Sequence, residues 1–392
     1  MKKFLAALSA VCLLISCPAG ATEATETTAM DTAATATSAL TVNAASSILM
    51  EKETGQILYE NNSHERLEPA SVTKVMTLLL VMEALDAGKL TLEQTVTASR
   101  HAISMGGSQI WLKENEQLTV HEMLKAVAVV SANDCAVALA EAVCGSEDAF
   151  VARMNERAVE LGMTDTNFLN VTGLPAAGHV TSAHDIALMS RELILNHPQI
   201  REYTTIWIDS LRDGTSQLVN TNKLIRFYDG ATGLKTGSTS TALYCLSATA
   251  ERDGMELIAV VMKSPTPQER FDGARALLDY GFANYTLMNV YPDQVLPPVN
   301  VNLGKQSAVQ PLLSQSPRLL IEREKAARVE TSIELAAEVQ APVEQGQTLG
   351  KMTVSVDGVT LAQIPLVADR AVERLTTWGI FRRLLEPLFM AG

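Results

Sequence analysis

Hydrophobic positions in this chain change period several times, and the changes divide it. Lys2 and Lys3 precede an apolar run, Phe4 to Ile15, too short to cross a bilayer comfortably. From Thr22 to about Leu40 the residues are almost all Ala, Thr, Ser and Glu, without periodicity, which predicts a tether. Order is expected from Val42, where Ala45 to Met50 and Gln56 to Tyr59 flank Thr54-Gly55 as a hairpin. Long apolar stretches then predict helices: Val75 to Ala84, ended by Gly88; a helix capped by Thr119 and running through Val130; and Asp134 to Val143. Glu147 to Leu161 and Ser182 to Leu195 follow. Thr241 to Ala250 and Leu257 to Met262, around Asp253-Gly254, predict a second hairpin, and Glu269 to Tyr280 a closing helix.

Strands at both ends with helices between them predict one α+β domain over residues 42–290. After Tyr291, prolines punctuate short alternating runs, and a small all-β, sandwich-like domain is expected over 291–366. In 367–392, Val372, Leu375, Trp378, Phe381, Leu385 and Leu388 recur every three or four residues. Arg370, Arg374, Arg382 and Arg383 take other faces. The charges exclude a spanning helix, so an amphipathic helix from Ala368 to Met390 is expected to lie in a membrane surface, with docking on the β domain as the alternative.

Composition narrows the partners. A formal net charge of −13 over 392 residues argues against nucleic acid. Ala19-Gly20-Ala21 after the first apolar run predicts an export signal over 1–21, followed by a linker over 22–41. Leu14-Ile15-Ser16-Cys17 also resembles a lipoprotein signal in which Cys17 would carry lipid. Cys135, Cys144 and Cys245 have no C-x-x-C spacing, so no zinc site or disulfide framework is indicated. His121-Glu122, His179 and His184 complete no ligand set, and no metal or cofactor is expected.

The candidate chemistry starts at Ser71. Serine needs a neighbouring base, and Lys74, three residues on at a helix start, lies on the same face. Apolar neighbours favour the neutral amine that a base requires. Sixty residues later, Ser131-Ala132-Asn133 interrupts a helical pattern; a hydroxyl there could relay a proton, an amide could hold a carbonyl, and an N-cap cluster is the ordinary alternative. Lys235-Thr236-Gly237 lies just before the strand expected from Thr241. An edge strand can pair with an extended peptide, Gly237 would allow the close approach, and Lys235 with Thr236 could bind a carboxylate.

In this order S-x-x-K, S-x-N and K-T-G are the motifs of penicillin-binding proteins and class A β-lactamases. The chain resembles the low-molecular-weight, serine-type D-alanyl-D-alanine carboxypeptidases, also in Pro69 to Lys74, Gly106-Gly107-Ser108, Ser131 to Asp134, Asn167 to Leu174, Thr181 to Ala187, Asn220 to Leu224 and Gly233 to Gly237. The likeness is firm from Val42 to Tyr285. It implies a penicillin-binding, β-lactamase-like transpeptidase fold, acting at the outer face of a bacterial cytoplasmic membrane. It also implies that Ser71 attacks the bond between two terminal D-alanines of a peptidoglycan stem peptide, forming an acyl-enzyme. Lys74 would take the serine proton and Ser131 pass it to the leaving amine. Asn133 would orient the peptide, and Lys235 with Thr236 hold its carboxylate. The N–H groups of Ser71 and Ser238 would form the oxyanion hole. β-Lactam antibiotics should acylate Ser71.

Ser238 stands where some relatives carry His after K-T-G, and Thr221 where some carry a basic residue. Asp185 is therefore expected to cap or hydrogen-bond rather than to form an ion pair. Glu192-Leu193-Ile194-Leu195-Asn196 fits the E-x-x-L-N pattern of a class A β-lactamase, but it continues the helix from Ser182. A catalytically silent wall-binding scaffold is a further alternative, disfavoured because all the motif side chains are present.

Overall fold

The computed structural model describes residues 40–292, 294–315 and 317–382. The expected export signal, the linker up to residue 39 and the end of the terminal helix lie outside the described residues. The catalytic sheet consists of β1 (Ser46–Glu51), β2 (Ile57–Asn61), β3 (Ala231–Thr239), β4 (Leu243–Arg252) and β5 (Met255–Ser264). Their order is β2-β1-β5-β4-β3, every pair antiparallel, so the ends of the domain meet in the middle of one sheet.

The helices are α1 (Lys74–Asp86), α2 (Val120–Val130), α3 (Asn133–Cys144), α4 (Glu147–Glu160), α5 (Ala183–Asn196) and α6 (Pro267–Asn284). Strand side chains alternate between two covered faces, which is why β1 and β5 read as unbroken apolar runs. Ile48, Met50, Ile258, Val260 and Met262 join the core of α1 to α5. Leu49, Leu257, Ala259 and Val261 pack against Phe271, Leu277 and Leu278 of α6. Cys135 and Cys245 are buried and Cys144 is half-buried, all as free thiols.

Local chemistry sets the helix ends near the site. Thr119 and Glu122 form a reciprocal capping box at the start of α2. At its other end Ser131 takes a left-handed conformation, φ 64°, a region that residues other than glycine visit rarely and mostly for a reason. Asn133 is the first residue of α3, and no side chain caps that helix.

The β domain follows directly, starting with β6 (Tyr285–Asn289), which pairs with a later strand at Arg318–Glu322. Its core has two parts, one around Val299, Val301, Val309 and Val343, the other around Met352, Val354, Ile364 and Leu366. The expected boundary at 366 is too early, and so is the expected helix start at Ala368. The last strand of the domain runs from Val359 to Ala368. Val372 then exchanges backbone hydrogen bonds with Val343 at 2.9 and 2.8 Å and is fully buried. Its place in the three-to-four spacing reflects β-domain packing, not a helix face. Helical backbone begins at 377 and continues to the last described residue, 382. No helix among the described residues is long and apolar enough to cross a membrane.

Candidate active site

Ser71 lies in a 3-10 turn, Ala70–Thr73, that runs straight into α1 at Lys74. The turn is wedged between β3 and a loop at 170–174. On one side a Cβ at Gly173, φ +81°, would stand 1.8 Å from the Ala70 carbonyl oxygen. On the other, a Cβ at Gly237 would stand 2.7 Å from the Pro69 carbonyl oxygen and 2.9 Å from the Ser71 nitrogen. Gly237 therefore permits a close approach, and the chain that approaches is the protein's own Ser71 turn.

Lys74 is fully buried. Its Nζ donates to Ser71 Oγ at 3.0 Å and to the Thr172 carbonyl at 2.7 Å. Burial drives its pKa well below the ordinary lysine value; Lys235 pushes the same way, and Asp134 opposes. Lys235 of K-T-G and Asp134, the residue after Ser131-Ala132-Asn133, thus both bias this amine.

Ser131 and Asn133 stand apart from an ordinary cap. Asn133 Nδ2 donates to the Gly106 carbonyl at 2.6 Å, and its N–H to the Ser108 carbonyl at 2.7 Å. Asn133 Oδ1 and Ser131 Oγ are buried without a hydrogen-bond partner. Proteins seldom leave such atoms orphaned, and here both belong to side chains of one motif. Asp134 fixes the facing loop by accepting from the N–H groups of Leu112 at 3.0 Å and Ile110 at 3.4 Å.

Lys235, Thr236, Gly237 and Ser238 lie inside the edge strand β3 rather than ahead of a strand. Lys235 Nζ donates to the Thr236 carbonyl at 3.0 Å, and Thr236 Oγ1 to Thr221 Oγ1 at 2.7 Å. Burial brings the Lys235 pKa down to about 7, with Arg270 adding repulsion. Arg270, from α6, donates to the Gly237 carbonyl at 3.2 Å and the Cys245 carbonyl at 3.4 Å.

A buried amine touching a serine hydroxyl, two orphan polar groups and a buried cation on an open strand edge suit acyl transfer to a carboxylate-bearing peptide. A profile described as D-alanyl-D-alanine carboxypeptidase matches residues 32–266. The chain belongs to the D-alanyl-D-alanine carboxypeptidase family. A second profile, the C-terminal domain of penicillin-binding protein 5, matches residues 285–374. This reaches past the sequence-based boundary at 366 and agrees with the observed extent of the β domain.

Among relatives, D-alanyl-D-alanine carboxypeptidase DacF of Bacillus subtilis is 44% identical over 343 residues, covering 86% of this chain and 88% of that protein. DacC of Escherichia coli is 33% identical, over 89% and 88%. Penicillin-binding protein 5 from Haemophilus influenzae superposes with a TM-score of 0.76 at 31% identity, over 85% of this chain and 98% of that one. This family member is thus a serine-type carboxypeptidase with a penicillin-binding-protein fold.

The β-lactamase alternative meets a structural obstacle. Glu192 lies within α5, and its Oε1 accepts from Arg157 at 2.6 Å, an arginine that also holds Glu83. Asp185 hydrogen-bonds as expected, accepting through Oδ2 from the Asp165 N–H at 2.8 Å and Thr166 Oγ1 at 2.7 Å. Sequence reasoning assigned no role to the Thr172 carbonyl, Gly173, Asp134 or Arg270. Only the family-like stretch Asn167 to Leu174 hinted at the first two.

Proposed function

We propose that Ser71 is the nucleophile of this D-alanyl-D-alanine carboxypeptidase, with neutral Lys74 as its base. The observation that carries this reading is the 3.0 Å contact between Lys74 Nζ and Ser71 Oγ at a fully buried amine. With the amine neutral, the contact reverses and the serine hydroxyl donates to the Nζ lone pair, while an Nζ–H stays on the Thr172 carbonyl. Ser71 Oγ attacks the carbonyl between two terminal D-alanines of a peptidoglycan stem peptide. The proton moves to Lys74 and, through Ser131, to the departing amine of the last D-alanine. Asn133 Oδ1 accepts a substrate N–H, and β3 pairs with the peptide backbone.

Lys235 and Thr236 hold the terminal carboxylate. The N–H groups of Ser71 and Ser238 face the developing oxyanion. Water then releases the shortened peptide. D-Alanyl-D-alanine termini belong to cell-wall peptides, so the reaction is one of the cell wall, outside the cytoplasm. Solved relatives include penicillin-binding protein D2 from Listeria monocytogenes in ampicillin-bound and cefotaxime-bound forms, at 32% identity and a TM-score of 0.57 over 62% of this chain. These support β-lactams as acylating inhibitors here. The test is D-alanine release from a pentapeptide ending in D-Ala-D-Ala. Wild type should release it and Ser71→Ala should not; equal release by both would reject Ser71.

The two lysines set opposite limbs of the pH profile. Lys74 must be neutral, so kcat/KM climbs as pH rises through its lowered pKa. Lys235 must be charged, so binding weakens as pH rises through about 7 in the free enzyme. A substrate ending in an amide should lack that alkaline limb. An identical fall for acid and amide substrates would remove Lys235 from carboxylate binding.

The terminal segment supports docking on a membrane surface. Trp378 and Phe381 are 73% and 52% exposed and stack with centroids 5.7 Å apart, an aromatic pair that the β domain leaves in solvent. The full chain should float with anionic lipid vesicles, and a chain ending at Thr376 should not. Equal flotation would place the membrane contact elsewhere.

A further inference from the structure

His179 belongs to none of the three motifs, yet it touches the turn that carries Ser71 and Lys74. The loop after α4 leaves and returns through a narrow neck, where the Asn167 N–H donates to the Val180 carbonyl at 2.9 Å and the reverse bond measures 3.1 Å. Inside this loop lies Thr172, whose carbonyl holds the Lys74 amine. His179 sits on the returning arm, 2% exposed. Its Nδ1 accepts the Leu169 N–H from the outgoing arm at 3.0 Å. In a neutral imidazole that acceptor role leaves the proton on Nε2. Nε2 lies 2.8 Å from Thr73 Oγ1, so the ring donates there. Phe168 packs against the ring at 5.9 Å. Burial lowers the pKa of His179 to about 4, with Glu68 opposing, so the neutral form and its tautomer persist at working pH.

Thr73 supplies a second, independent observation. It directly precedes α1 with helical backbone, φ −43° and ψ −38°, so its hydroxyl is not placed to cap the helix's first N–H groups. Here the side chain makes no capping bond and is fully buried. It is spent on the imidazole instead. The backbone of Lys74 is therefore tied to the loop through Thr73 and His179, and its amine is tied to the same loop through Thr172.

We propose that His179 is a positioning residue for acylation, clamping the turn of Ser71 and Lys74 to the loop that aims the lysine amine, by donating to Thr73 while accepting from Leu169. This rests on the reading of Ser71 as nucleophile and Lys74 as base. The imidazole takes no proton from the substrate and touches no reacting atom. Its contribution is to hold Nζ at attack distance from Oγ, where a misplacement of about 1 Å can cost a hundredfold in rate.

The test compares His179→Gln, His179→Leu and Thr73→Val. The rate of Ser71 acylation by a penicillin is measured per titratable site, so that any misfolded fraction drops out, alongside KM for a D-Ala-D-Ala peptide. His179→Leu and Thr73→Val should each slow acylation by about tenfold or more, with KM nearly unchanged. Glutamine can accept through its carbonyl and donate through its amide, and His179→Gln should stay within about threefold of wild type. The double variant His179→Leu with Thr73→Val should be no slower than the worse single, because the two act through one contact.

Wild-type rates for His179→Leu or Thr73→Val would overturn the proposal, as would a His179→Gln as slow as His179→Leu. If His179→Leu yields no folded protein, Thr73→Val decides, since it removes the hydroxyl at nearly constant volume. A wild-type enzyme that never acylates at Ser71 would instead sink the reading beneath the proposal.

Discussion

Replacing Lys74 by methionine should lower the acylation rate of Ser71 by about a thousandfold, while the protein still folds. Methionine keeps the length and apolar stem of lysine and removes only the amine. The site is fully enclosed, and lysine there carries a strong desolvation penalty for its charged form. Losing the amine costs the bonds to Ser71 Oγ and the Thr172 carbonyl, but it also relieves a buried ionisable group of its repulsion from Lys235. The melting temperature should therefore move little. Rates are to be read as penicillin acylation and D-alanine release, with melting as the control. Retained acylation by Lys74→Met would mean that another group takes the proton.

The second large effect is expected at Gly237. An added Cβ would stand 2.7 Å from the Pro69 carbonyl oxygen, 2.9 Å from the Ser71 nitrogen and 3.0 Å from the Val72 nitrogen. All three are backbone atoms in or next to the Ser71 turn, which cannot swing aside as a flexible side chain could. Gly237→Ala must push β3 and the turn apart. In the proposed mechanism, the N–H groups of Ser71 and Ser238 then lose their common oxyanion target. Removing one oxyanion donor costs about a hundredfold in kcat, and Gly237→Ala should reach that level through displacement alone. Steady-state kinetics on a D-Ala-D-Ala peptide would check it. A fall in kcat with a modest change in KM is expected. Normal kcat would show that the turn can shift without disturbing the oxyanion donors.

Much of the fold was legible because it rests on local signals. The hairpin of β1 and β2 carries its Thr54-Gly55 turn, and Thr119 announces the start of α2. The motif residues were legible as chemistry, and the Lys74 amine does reach the Ser71 hydroxyl. What stayed hidden has backbone or long-range causes. Thr172 acts through its carbonyl, which every residue possesses, so nothing in its side chain marks it. β3 was not read as a strand because Gly233, Lys235, Thr236 and Gly237 break any alternation; the strand exists because β4 pairs with it along its whole length. Arg270 belongs to no motif, yet it is buried and donates to the Gly237 carbonyl of β3. At the other end of the chain, Val372 fits a helical spacing and a strand-like core equally well. Its pairing with Val343, almost thirty residues upstream, settled which, and that partner could not be inferred from periodicity.

The account stands or falls on a covalent bond at one oxygen. Wild type, Ser71→Ala and Lys74→Met should be incubated with a penicillin, and their intact masses and proteolytic peptides compared. The account predicts one added penicillin mass on wild type, carried by the peptide containing Ser71. It predicts none on Ser71→Ala and a greatly slowed gain on Lys74→Met. An adduct that persists in Ser71→Ala, or that maps to any other residue, would contradict it.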